Sequence, residues 1–163
     1  MRSSIIACAM GFMLSVSTWG QQVVEGDLSF LRNVHAMQLV LDFSNASMLG
    51  LSEDKFAVYE KDWQKEKKEI YGELLSEISK RNKHIAFTRQ EKPYVLKVEI
   101  KEVSLSGNTI CNLIFYSDSK EMAVVKGIYG KGGKYGTKIN LIGDGVKSIG
   151  KKTGDFIRKA KRR

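Results

Sequence analysis

"KPYVLKVEIKEVSLSGNTICNLIFYSDSKEMAVVKG", residues 92–127, decides the fold. Tyr94, Leu96, Val98 and Ile100 alternate with Lys97, Glu99 and Lys101. A period of two with one charged side describes a half-solvated antiparallel strand. "SGN" at Ser106–Asn108 turns this strand into the apolar run "TICNLIFY", and "SDSKE" turns that run into "MAVVKGIYG". The centre of the chain therefore reads as a three-stranded meander, opened by Pro93, the only proline.

Upstream, "VHAMQLVLDF" from Val34 places Met37, Leu39, Leu41 and Phe43 on one side of a further strand, opposite Ala36, Gln38, Val40 and Asp42. "SNASMLGLSED" then supplies turn residues, an N-cap in Ser52, and two carboxylates, Glu53 and Asp54, suited to the positive end of a helix. Phe56, Tyr59, Trp63, Ile70, Leu74 and Ile78 recur at helical spacing, with Glu60, Lys61, Glu66, Lys68, Glu69 and Lys80 outside. "RNKHIAFTRQ" closes that helix and offers a short strand through Ile85 and Phe87.

A last helix starts near Thr137, where Ile142, Val146, Ile149, Thr153 and Ile157 form one stripe at about 100° per residue. Gly143, Gly150 and Gly154 lie on an adjoining stripe. Each costs ~1 kcal/mol of helix stability relative to alanine, so close approach to the preceding helix is the expected gain. The pattern predicts an α+β domain. It is a two-layer sandwich whose mixed, mostly antiparallel sheet of four to five strands carries two helices on one face.

A chain of 163 residues fits one domain, since a core of this size buries about 70% of the unfolded surface. The start, Met1-Arg2-Ser3-Ser4 followed by "IIACAMGFMLSV" and "STWG", has a positive head, an apolar run and small residues at Thr18 and Gly20. The run is short of the ~20 residues that span a bilayer, so it predicts a signal peptide, residues 1–20, cleaved after Gly20. The expected organisation is then an N-terminal extension at 21–33, a domain at 34–158 and a basic tail at 159–163. Export to the periplasm or beyond follows. Cleavage leaves one cysteine, Cys111, which admits no intramolecular disulfide and reads as a buried, inert thiol.

Charge is uneven. Residues 126–163 hold twelve Lys or Arg and two Asp, net +10, against net −1 for residues 1–125. Within them, "GIYGKGGKYGTK" at 127–138 carries five glycines, three lysines and two tyrosines. It fails the phosphate-binding pattern GxxxxGK[ST], because Gly132 is followed by Gly133, and it fails GxGxxG because Tyr135 stands in the last glycine's place. It reads as a strand-to-helix loop with exposed lysines.

The strands "KPYVLKVEIKEV" and "LIFYSDSKEMAVVKG" and the glycine-punctuated final helix resemble small periplasmic α/β domains of Gram-negative envelope proteins. These include the amino-terminal domain of the Tol translocation protein and the curli-export and lipopolysaccharide-assembly lipoproteins. "LVLDFSNASMLGLSEDKF" with "DW" also resembles uncharacterised small secreted proteins of gut-type bacteria. The resemblance covers Val34 to Arg158. It departs from the lipoproteins in that only Ile5, Ile6 and Ala7 precede Cys8 as apolar segment, too few for lipidation.

The resemblance and the basic C-terminal third together lead to a non-catalytic accessory protein that binds another envelope component: a protein, an anionic lipid or a glycan. The expected contacts are Lys131, Lys134, Tyr135, Lys138, Lys151, Arg158, Lys159, Lys161, Arg162 and Arg163. Export disfavours nucleic acid as the partner, and no cofactor or metal ligand set is read from the spacing. Two alternatives stay open: a small hydrolase or other enzyme with a dispersed site, and a nucleic-acid binder should residues 1–20 not direct export. Asp42, Ser44 and Asn45 read as turn-forming, and His35 and His84 lack metal-ligand spacing.

Overall fold

A computed structural model of the chain describes residues 17–19 and 22–162. The strands are β1 (Ser17–Trp19), β2 (Gln22–Gly26), β3 (Ala36–Asp42), β4 (Ser47–Met48), β5 (Ala86–Thr88), β6 (Tyr94–Val103), β7 (Thr109–Ser117) and β8 (Lys120–Gly130). The helices are α1 (Glu53–Tyr59), α2 (Trp63–Arg81) and α3 (Lys138–Arg162), with a 3₁₀ helix at Ser29–Asn33. The sheet runs β1-β2-β8-β7-β6-β3-β5, with the short β4 also paired to β6.

The β6-β7-β8 meander is antiparallel as expected, and β3 lies parallel to both β5 and β6. Met37, Leu39, Leu96, Val98, Leu113, Phe115 and Val125 are buried on one face beneath the helices. Their strand neighbours Val40, Val95, Lys97, Glu99, Ile114 and Val124 are only partly buried on the other. The α+β class and the two layers agree with the sequence pattern.

The sheet is wider than four to five strands because β1, β2 and β4 join it. Residues 21–33, expected as an extension, supply β2, which pairs with β8 from Val23↔Lys126 to Gly26↔Ala123, and the 3₁₀ helix. Part of the expected leader, Ser17–Trp19, forms the sheet's outermost strand; residues 1–16, 20 and 21 lie outside the described residues.

One expected helix is two. Ser52 caps α1 by accepting from the Lys55 N–H at 3.5 Å, and the chain breaks at Glu60–Asp62 before α2 begins. The break brings Phe56 and Trp63 edge to face, centroids 5.2 Å apart, and leaves Tyr59 at 74% exposure instead of on the buried stripe. Thr137 caps α3, its hydroxyl accepting from the Asn140 N–H at 3.3 Å. The stretch expected as a tail at 159–163 continues α3 through Arg162; Arg163 lies outside the described residues.

Parallel packing of α2 and α3 follows from the glycines. Gly143 lies over Ile70 and Glu73, Gly150 over Leu74 and Glu77, and Gly154 over Ile78 and Arg81. A Cβ at Gly154 would stand 2.8 Å from the Arg81 Cβ and 3.0 Å from the Ile78 carbonyl oxygen. This is the close approach that the glycine stripe predicts.

Candidate functional site

The loop between β8 and α3 is tied to the fold by its first two backbone donors. The Lys131 N–H donates to the Ser148 hydroxyl at 3.2 Å and the Gly132 N–H to the Asn108 side-chain oxygen at 2.9 Å. Gly130 abuts the Gly145 carbonyl, and Gly132 abuts the Ser106 carbonyl. Gly130 and Gly132 therefore serve close backbone packing between strand, turn and helix, whereas Gly127 (φ +74°) and Gly136 (φ +116°) supply left-handed backbone.

Its side chains do not form a uniformly basic surface. Lys138 pairs with Glu60 at 3.5 Å. Tyr135, 88% exposed, borders a groove of about 320 Å³ lined also by Glu66, Glu69, Glu73 and Asp144. Of the expected contacts in the loop, Lys131 and Lys134 remain solvent-facing without an ion pair among the described residues. Beside those carboxylates their field is diluted.

The outward side of α3 differs. Lys147, Lys151, Arg158 and Arg162 fall within about 60° of the helix circumference, over about 22 Å of axis. Arg158 is held by Asp155 at 2.9 Å, and Asp155 also binds Arg81 at 2.9 Å. Lys147, Lys151, Lys159 and Arg162 make no ion pair among the described residues. Lys147 is absent from the sequence-based expectation, yet helical geometry sets it in line with Lys151. Glu77 sits beside this stripe; a hydrogen bond from Lys80, with Lys151 and Lys147 nearby, holds its carboxyl below the ordinary range.

Lys161, among the expected contacts, is engaged within the fold. Its Nζ donates to the carbonyls of Leu31 (3.2 Å), Arg32 (3.3 Å) and Val34 (2.6 Å), satisfying the C-terminal end of the 3₁₀ helix. Lys152, also exposed, is tied to β8, donating to the Tyr129 carbonyl at 2.6 Å with its ammonium 5.4 Å from the ring centroid.

Of the residues weighed for catalysis, Cys111 and Asp42 occupy structural positions. Cys111 is fully buried, and burial pushes its thiol pKa far above the ordinary range, against nucleophilic use. His35 and His84 are exposed at the approaches to β3 and β5. Partial burial raises the Asp42 carboxyl, but the Lys97 ammonium at 2.7 Å and hydrogen bonds from Ser44 outweigh it and hold the pKa at about 2.

That depression stabilises the fold above the ordinary carboxyl range and is lost as pH falls through about 2. Both side chains are less than a third exposed, at 28% for Lys97 and 18% for Asp42, so solvent screening is limited. Asp42→Asn is expected to cost roughly 1–2 kcal/mol at pH 7, with the difference from the native chain shrinking below pH 4, small at pH 2 and vanishing only below it. Urea midpoints at pH 7, 4 and 2 check this; a constant difference would exclude the carboxylate as its source. No protein-family model, curated protein or solved structure matches this chain.

Proposed function

We propose that this chain is an exported, non-catalytic binding domain that docks on an anionic component of the cell envelope through the outward face of α3. The observation that carries the reading is the set of cations without ion pairs, Lys147, Lys151, Lys159 and Arg162, borne on a helix anchored at both ends. Lys147, Lys151 and Arg162 form a rigid row, with Lys159 about 60° further round the helix, and together they meet a plane of headgroups without the entropy cost of ordering a flexible tail. The reading of an envelope partner, where anionic lipid and glycan abound, rests on the resemblance of the strands to periplasmic domains.

Each cation near an anionic membrane contributes about 1 kcal/mol at physiological salt, so four together supply up to a thousandfold in affinity. Replacing all four by Gln is expected to weaken binding to vesicles of 30% anionic phospholipid by at least tenfold in cosedimentation at low salt. The gap should close as salt rises. Equal binding by both proteins at low salt would reject this face. Intact mass of material from the native host tests the export step separately, with a mature start at Gln21 expected; retention of residues 1–20 in the cytosol would remove the envelope partner.

A further inference from the structure

β3 is paired along only half of its outer edge. Its parallel register with β5 ends at Gln38↔Thr88, where the Gln90 N–H bonds back to the Thr88 hydroxyl at 3.1 Å and the chain turns away. On its inner side β3 remains paired with β6 through Asp42↔Glu99. Among the described residues the sheet therefore lacks one strand's width beside Leu39–Asp42, and a groove of about 380 Å³ occupies that place.

Backbone parity fixes what the groove presents. The His35 carbonyl accepts from the Ala86 N–H at 2.8 Å, and the Leu39 carbonyl accepts from the Tyr71 hydroxyl at 2.9 Å. With a period of two, the N–H and C=O of Leu41 point to the same side, where no strand among the described residues meets them. Tyr71 thus satisfies one edge carbonyl from α2 and leaves the next residue's pair of groups open to an arriving chain.

The walls set the charge. The Arg89 guanidinium lies 4.4 Å from the Tyr71 ring centroid and reaches the Lys68 carbonyl at only 3.5 Å. Arg89 and Lys68 make no ion pair among the described residues, and no carboxylate is among the residues lining the groove. Lys67, also on the wall, is committed to Glu53 at 2.6 Å. Burial, only partly offset by Arg89, raises the Tyr71 phenol above its ordinary range, so it stays a donor.

We propose that this groove binds an extended acidic segment of a partner protein, added as a strand beside Leu39–Asp42. Its backbone pairs with Leu41 and a carboxylate meets Arg89 and Lys68. Main-chain hydrogen bonds at an open sheet edge hold the segment, and the two cations select acidic side chains. A second copy of this chain is disfavoured as the occupant, because edge-to-edge pairing would bring two sets of Arg89 and Lys68 together. The site shares no residue with the outward face of α3, so it stands or falls independently of the vesicle-binding result.

The probes are a fluorescent octapeptide of alternating Glu and Val, its Lys and Val counterpart, a form of the acidic peptide N-methylated on every backbone amide, and inorganic phosphate. The acidic peptide is expected to bind and to slow hydrogen exchange of the Leu41 amide at least tenfold at saturation. Arg89→Ala and Lys68→Ala, both at exposed positions, should each weaken it at least fivefold with unchanged circular dichroism. The basic and N-methylated peptides should not bind. Absence of Leu41 protection, or full affinity in the N-methylated peptide or in Arg89→Ala, would overturn the proposal. Displacement by phosphate without any Leu41 protection would make the site a simple anion pocket and overturn it equally.

Discussion

Gly145→Val is expected to lower stability by about 4 kcal/mol or more, enough to unfold a domain of ordinary marginal stability. A Cβ at this position would fall on the Gly107 carbonyl oxygen and 2.6 Å from the Thr109 hydroxyl. Gly107 has φ +75°, and the space beside its own Cα is filled by the Leu141 carbonyl; the space beside Gly130 is filled by the carbonyl of Gly145 itself. The β6–β7 turn, the end of β8 and the first turns of α3 thus meet backbone to backbone. The nearest obstacle at each glycine is a backbone carbonyl, which cannot swing aside as a side chain could, and this puts the cost above the usual 1–3 kcal/mol of overpacking.

A nearby glycine provides the opposite result. A Cβ at Gly143 would find only Glu73 and Ile70 side-chain atoms at 3.8 Å, ordinary van der Waals distance. Gly143→Ala should therefore gain roughly 0.5–1 kcal/mol from helix propensity alone. Gly154→Leu falls between, losing ~1–3 kcal/mol against the Ile78 carbonyl although leucine favours helix. Urea midpoints of the three variants give the order; a Gly145→Val midpoint equal to the native one would show that the turn and helix do not interlock.

The sequence discloses much of this architecture and conceals particular parts for physical reasons. The meander is legible because Tyr94 to Ile100 alternate without interruption, and α3 because Ile142, Val146, Ile149 and Ile157 keep one helical stripe. β2 is not legible: "QVVEG" is short, and its partner β8 lies a hundred residues away. The α1–α2 break is hidden because Phe56, Tyr59 and Trp63 suit one continuous helix, and only packing against Phe43 turns Tyr59 out.

Among the candidate contacts, sequence marks cations but not their commitments. Lys161 looks like its neighbours in "RKAKRR" until the 3₁₀ helix comes beneath it. The groove beside β3 arises from a difference in length, three residues of β5 against seven of β3, which no local pattern encodes.

Trp63→Ala is the second substitution expected to act strongly, at about 3–5 kcal/mol. The indole is fully buried at the first position of α2, edge to face with Phe43 at 84° and with Phe56 at 89°, each 5.2 Å away between centroids. Its Nε1–H donates to the Glu53 carboxylate at 2.9 Å, which also receives the Lys67 ammonium at 2.6 Å. One side chain thereby joins the residue that follows β3, the first turn of α1 and the start of α2. Alanine removes the ring contacts and the donor together, whereas Trp63→Phe retains an aromatic ring and leaves Glu53 its lysine. The phenylalanine variant should cost only about 1–2 kcal/mol, the worth of a buried charge-assisted hydrogen bond with some lost area. Thermal and urea unfolding of both variants separate the contributions. Equal losses would assign the stability to the Glu53 hydrogen bond, and an alanine loss below 1 kcal/mol would mean that the three aromatic rings do not form a packed junction.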